Sequence, residues 1–224
     1  MSQVDRAAFR QAAGRLPTGI VVVGTSLDGV SHAMTVSAFT SVSLEPILVL
    51  FCAEKIARFH DAVLAAGIWS VSVLGADSEQ TARWLATRGR PLLGQLDDVP
   101  HHAGAVTGAP ILDVALAAFE CRTTAVYDGG DHSIVVGEVV AVSEPASERA
   151  GGTGQLPAGD DTVAGPAVPG GQGDPAEPAE PAEPAEPAEP GVPAEPGGQL
   201  DRSGTGEGRG PLIYYRGQYR RLSD

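Results

Sequence analysis

AMTVSAFTSVSLEP, from Ala33 to Pro46, divides by parity into two unlike faces. Met34, Val36, Ala38, Val42 and Leu44 share one parity, and Thr35, Ser37, Ser41 and Ser43 share the other, which is the period of a strand with one buried face. Phe39 interrupts the polar parity, so a bend or strand break is expected near Ala38. Hydroxyls both donate and accept, and a row of them on a rigid strand suits a polar, ring-shaped ligand rich in carbonyls and ring nitrogens. The same residues also suit a solvated strand face, and periodicity alone leaves both readings open.

Outward from this stretch, short apolar runs alternate with turn residues. Gly19 to Thr25 is a β-branched run turned into the next strand by Asp28-Gly29, and Ile47 to Cys52 is a continuous apolar strand. Ile68 to Leu74 forms another, and Val114 to Tyr127 and His132 to Val142 form two long strands joined through Asp128-Gly129-Gly130-Asp131. Helical spacing covers residues 3–14, with Val4, Ala7, Ala8 and Gln11 on one stripe and Gly14 and Pro17 as the stop. It recurs from Lys55 to Ala66 and from Ser78 to Thr87. Many short strands and few helices predict a mainly β protein, an antiparallel barrel with peripheral helices.

The 224 residues, 42% of them apolar, are enough for one domain with a real core. The net charge is −13, but residues 146–210 hold twelve acidic and three basic side chains, a net of −9 that leaves −4 for the rest. A mildly acidic core without a basic stripe argues against nucleic-acid binding. Pro175 to Pro190 is five PAE triplets closed by a proline, set in Gly-rich text, and predicts a disordered, extended acidic insertion. Closure entropy grows only logarithmically with loop length, so such an insertion is tolerable, and neutral repeat expansion and a partner-binding tether both account for it. Cys52 and Cys121 form no CxxC pair, no secretory leader is evident, and no apolar run approaches the ~20 residues of a membrane span. A soluble cytoplasmic protein without membrane association is the expectation.

Several common chemistries lack their motifs. No GxGxxG follows a strand, there is no GxxxxGK[ST] phosphate loop, and no serine sits in a GxSxG elbow. His101-His102 lacks the partners and spacing of a zinc site and is expected on a surface loop, so no metal role is assigned. Lys55 is the sole lysine; it follows the strand end Cys52-Ala53, and Arg58 lies three residues on, where a helix would begin. Two cations at a helix N-terminus make a candidate phosphate site, or else two solvated charges.

Five blocks stand in a telling order: FRQAAGRLPTGIVVVGTSLDG from Phe9, the stretch from Ala33, PILVLFCAEKIAR from Pro46, GDHSIVVGEV from Gly130 and PLIYYRGQYRRL from Pro211. Together they resemble the flavin reductase family over roughly residues 5–145 and 211–222. The resemblance implies a mainly β, split β-barrel domain made of residues 1–145 and 211–224 with residues 146–210 inserted, assembled as a homodimer. It implies FMN or FAD as the flavin, NADH or NADPH as the reductant, and a partner monooxygenase that receives reduced flavin. On the same basis the flavin-contacting set is Thr35, Val36, Ser37, Thr40, Ser41, Cys52, Ala53, Lys55, Arg58 and Phe59. His132, at the GDH corner, is the candidate catalytic residue, chiefly as a positioner, because hydride transfer depends on alignment at near van der Waals distance. The family pattern often has Ser where this chain has Ala57. Two other readings stay open: a split-barrel oxidase or direct substrate reductase, and a flavin-binding interaction module without turnover.

Overall fold

A computed structural model describes residues 4–91, 93–143 and 210–221, so the PAE-repeat insertion expected over residues 146–210 lies outside them except for Gly210. Three helices, α1 (Arg6–Ala13), α2 (Arg58–Ala66) and α3 (Glu79–Ala86), accompany twelve strands among the described residues. The strands are β1 (Thr18–Gly19), β2 (Val21–Leu27), β3 (Val30–Val36), β4 (Phe39–Leu44), β5 (Ile47–Glu54) and β6 (Ile68–Leu74). They continue with β7 (His101–Ala103), β8 (Pro110–Leu112), β9 (Ala115–Gly129), β10 (His132–Ser143), β11 (Leu212–Tyr215) and β12 (Gln218–Arg221). All the ladders are antiparallel, in a seven-stranded sheet ordered β3-β2-β6-β9-β10-β5-β4, a three-stranded sheet β1-β11-β12 and a pair β7-β8. The protein is therefore mainly β. Among the described residues no helix is long and apolar enough to cross a membrane.

Local chemistry explains the connections. Asp28 and Gly29 have φ of 51° and 77°, the paired positive values that a tight, primed hairpin turn requires, and they set Leu27 opposite Val30. The expected break falls at Ser37-Ala38, between β3 and β4. It changes the facing of the residues beyond it: Phe39 turns inward against the core, whereas Ala38, Val42 (50% exposed) and Leu44 (87%) are exposed, not buried as their parity predicts. A register irregularity between Ser41 and Ser43 disturbs the alternation again.

Other boundaries move for identifiable reasons. α2 starts at Arg58 instead of Lys55, because the Lys55 N–H is tied to the Asp131 carbonyl at 3.0 Å and keeps that residue out of the helix. α1 is shorter than expected, capped by the Asp5 carboxylate on the N–H groups of Ala7 and Ala8, and none of its residues is buried. His101 and His102 lie in a strand and not a loop, paired with Leu112 and Ile111.

β2 is covered on both faces, which accounts for its unbroken β-branched run. Val21 and Val23 join Phe51, Val63, Trp69 and Val135 in one core cluster, while Ile20 and Val22 join Leu74, Leu85, Leu112 and Leu212 in a second. Trp69 is completely buried, meets Phe51 edge-on at 4.9 Å and donates its indole N–H to Thr123 Oγ1 at 3.1 Å. Gly137 makes room for that ring: a Cβ there would sit 2.4 Å from Trp69 Cζ2. The seven-stranded sheet is strongly curled. Phe39 on β4 stacks on Phe119 of β9 at 6.3 Å, although two strands lie between them and a flat sheet would hold them about 14 Å apart.

Candidate functional site

β3 is an edge of the large sheet, and its outward carbonyls are covered by side chains. Arg90 Nη2 donates to Ala33 O at 2.9 Å, Gln95 Nε2 donates to Ser31 O at 3.0 Å, and Thr35 Oγ1 reaches across to Ala82 O on α3 at 2.7 Å. These ties hold α3 against β3. On the other side stands the first turn of α2. A cleft of about 430 Å³ opens between them, walled by β3, the end of β5, the start of α2, the end of α3 and His132 at the start of β10.

The two helix ends impose the cleft's electrostatics. Ala57 is the N-cap of α2 and contributes no side-chain hydrogen bond, so the positive end of that helix meets the cleft without a side-chain cap. At the other wall Arg90 caps α3, donating through Nη1 to Trp84 O at 3.2 Å, Leu85 O at 2.7 Å and Thr87 O at 2.5 Å. Arg58 in turn donates to the Arg90 carbonyl oxygen, which holds the two arginines close. Burial lowers the pKa of Arg90, and the neighbouring Arg58 lowers it further, but a guanidinium stays charged. Among the described residues Arg90 Nε is buried without a hydrogen-bond partner. Burial, and then the neighbouring Arg58, push the pKa of the 9% exposed His32 imidazole below its ordinary value.

Arg58, Arg88 and Arg90 line the cleft with one carboxylate, Glu54, and Arg88 Nη2 holds both oxygens of that carboxylate at 2.8 Å. A concavity with three guanidiniums and one carboxylate, on a chain of net charge −13, is suited to a small anionic ligand.

Of the residues singled out in the sequence, Thr35, Val36, Ser37, Cys52, Arg58, Phe59 and His132 line this cleft. They come from β3, its exit, β5, α2 and β10, and the sheet brings them together: His132 lies opposite Glu54 across the β10–β5 ladder. His132 Nδ1 is held by Asp131 Oδ1 at 2.7 Å, which aims the ring from the hairpin corner. Phe59 is 5% exposed and packs on Phe51 at 6.4 Å, so most of it belongs to the core. The Cys52 thiol is half-buried, and burial raises its pKa.

Four residues do not line the cleft. Lys55 is paired with Asp128 across the hairpin, and that bond holds the Asp128 carboxyl below its ordinary range. Ala53 alternates to the core side of β5 and is fully buried. Thr40 and Ser41 lie exposed on β4, where the Thr40 hydroxyl donates to Ser41 O at 3.2 Å. The other guanidiniums at the cleft are Arg88 and Arg90; neither they nor His32 and Glu54, which also line it, are singled out by the sequence motifs. His32 carried a signal, a lone imidazole on the buried parity of β3, and so did the arginines of RGRP just past the end of α3, where cations satisfy orphan carbonyls.

The family model for the flavin reductase like domain matches residues 13–157, and the chain belongs to that family. It is 42% identical over 146 residues to an NADH-dependent FAD reductase of Streptomyces globisporus, covering 64% of this chain and 80% of the relative. It is 34% identical over 146 residues, 65% of this chain and 73% of the relative, to the reductase subunit HsaB of a flavin-dependent monooxygenase from Rhodococcus jostii. Among solved structures, BorF, the flavin reductase component of a bacterial two-component tryptophan halogenase, superposes with a TM-score of 0.66 at 32% identity, covering 98% of this chain and 99% of that one. The NADH:FAD oxidoreductase SgcE6 of Streptomyces globisporus, in complex with NAD and FAD fragments, gives 0.66 at 26% identity over 100% and 98% of the two chains.

Proposed function

We propose that this chain transfers hydride from NADH or NADPH to FMN or FAD and supplies the reduced flavin to a partner monooxygenase. The observation that carries the reading is the convergence of Thr35, Ser37, Cys52, Arg58 and His132, from four separate segments, on one cleft in a member of this family. The residues present suit a flavin: a strand edge with hydroxyls for the ring, and arginines with an uncapped helix end for an anionic tail. When bound, the flavin supplies a ring that accepts a hydride. The chain's own work is placement. Arg58 and the first turn of α2 hold the tail, β3 presents its hydroxyl edge, and His132, steadied by Asp131, borders the space where the nicotinamide must lie.

The same proposal includes a split barrel. Its support is the curl of the large sheet and the fact that both edge strands, β3 and β4, are consecutive in the chain and joined only through Ser37 and Ala38. It also includes one domain formed by residues 1–145 and 211–224, supported by the pairing of β11 with β1. A homodimer is part of it as well. Val4, Phe9, Leu16, Val42, Leu44 and Ile47 are all exposed, and α1 is too short to be stable in water without packing its apolar side chains.

The test is NADH consumption with flavin titrated in, followed by absorbance at the nicotinamide band. Turnover should rise and saturate with FMN or FAD. Consumption that ignores added flavin, in a colourless protein, would sink the reading.

A further inference from the structure

The mouth of the cleft carries a contact that neither the fold nor the binding of a single phosphate requires. Glu54 ends β5, and Arg88 lies just beyond the C-cap of α3, so their ion pair, in which Nη2 alone donates to both carboxylate oxygens, joins two different walls. Both side chains line the cleft, with 31% of Glu54 and 76% of Arg88 exposed. An ion pair this exposed contributes little stability and is readily exchanged. Arg58, Arg90 and the start of α2 already line the cleft as partners for one phosphate. Arg88 is a third guanidinium, neutralised by Glu54, the one carboxylate of the lining among the described residues.

We propose that Glu54–Arg88 is an exchangeable latch: the pyrophosphate of a bound dinucleotide takes Arg88 from Glu54, which makes this pair the determinant of selectivity between dinucleotides and ligands with one phosphate or none. The proposal rests on the reading of the cleft as a flavin site. Guanidinium geometry suits the exchange, because its planar fork pairs with a carboxylate or with phosphate oxygens in the same way. Glu54 then acts as the internal competitor of the ligand's second phosphate. Two dinucleotides could present that group, FAD or the nicotinamide reductant, and the chemistry of recognition is shared.

The test titrates full-length protein with FAD, FMN and riboflavin by flavin fluorescence, and separately measures the KM for NADH with riboflavin as acceptor. Glu54→Gln, which keeps shape and removes charge, should tighten the dinucleotide by about fivefold, the most that release from a surface ion pair supplies. Arg88→Gln should weaken the same ligand about tenfold, with riboflavin binding unmoved. A change in FAD affinity assigns the pyrophosphate to the flavin; a change in the KM for NADH with FAD affinity constant assigns it to the reductant. The double variant should match Arg88→Gln alone. If Glu54→Gln leaves the FAD to riboflavin ratio and the KM for NADH unchanged, or if it tightens binding equally in the Arg88→Gln background, the latch is refuted. Failure of the wild-type protein to bind any of the three flavins would overturn the flavin site itself, an outcome plainly distinct from an unchanged ratio.

Discussion

Glu120 on β9 and Arg90 beyond α3 are both charges drawn away from water, but their partners differ in kind. Glu120 is 5% exposed and accepts hydrogen bonds from Val106 N at 3.0 Å, Thr107 N at 2.6 Å and Thr107 Oγ1 at 2.7 Å, all in the loop between β7 and β8. Burial alone would raise its pKa, yet these donors outweigh it and hold the carboxyl below its ordinary 4.5. Among the described residues Arg90 has only carbonyl oxygens as partners, stands beside a second guanidinium and leaves Nε unpaired. A charge completed by its own loop holds structure. A charge with no counter-ion among the described residues, at the wall of a cleft, is open to an anion from solution.

That contrast should break cleanly under mutation. Glu120→Ala removes the acceptor of three donors and should cost about 3 kcal/mol or more in urea unfolding, while the folded protein binds riboflavin as before. A cost under about 1 kcal/mol would show that water replaces the carboxylate and that Glu120 is not the anchor of its loop.

Arg90→Ala should show a double effect: about 1–2 kcal/mol of stability lost with the cap of α3, and FMN weakened about tenfold or more while riboflavin changes less. Arg90→Lys keeps the charge but not the fork, and should recover part of the FMN affinity and little of the stability. Loss of stability with an unchanged FMN to riboflavin ratio would reduce Arg90 to a helix cap and erase the contrast with Glu120.

Titration sharpens the same point by a smaller amount. Because the folded-state pKa of Glu120 is depressed, its contribution is fully present above the ordinary value of 4.5 and fades as pH falls through the folded value. Stability of the wild type should therefore drop more steeply between about pH 5 and about pH 3 than that of Glu120→Gln. Parallel curves would mean that the carboxyl titrates alike in both states. The smallest effects belong to the hydroxyls: Ser37→Ala, at the cleft, should weaken flavin by about 0.5–1.5 kcal/mol, whereas Ser41→Ala, outside it, should change nothing measurable. Equal losses for the two serines would place the ring across the β3–β4 break.

What the sequence determined by itself is what local chemistry controls. The hairpin at Asp28-Gly29, the break near Ala38, the strand from Ile68 to Leu74 and the helix from Ser78 to Thr87 come from turn residues, β-branched runs and helical spacing, and the structure shows each of them. The order of the blocks around His132, Cys52 and Thr35 was enough to reveal the family, because a cleft built from β3, β5 and β10 leaves its residues in every one of those segments. Tertiary structure decided what depends on distance across the fold. Lys55 and Arg58 are three residues apart, yet Lys55 turns to Asp128 while Arg88 and Arg90, some thirty residues on, line the cleft with Arg58. Val42 and Leu44 kept their parity in the chain and lost their burial, because the break before β4 and its position at the edge of the sheet set which way they face. Periodicity fixes the alternation of side chains along a strand, but what each face meets is set by the neighbouring strand, the curl of the sheet and the helix end packed against it.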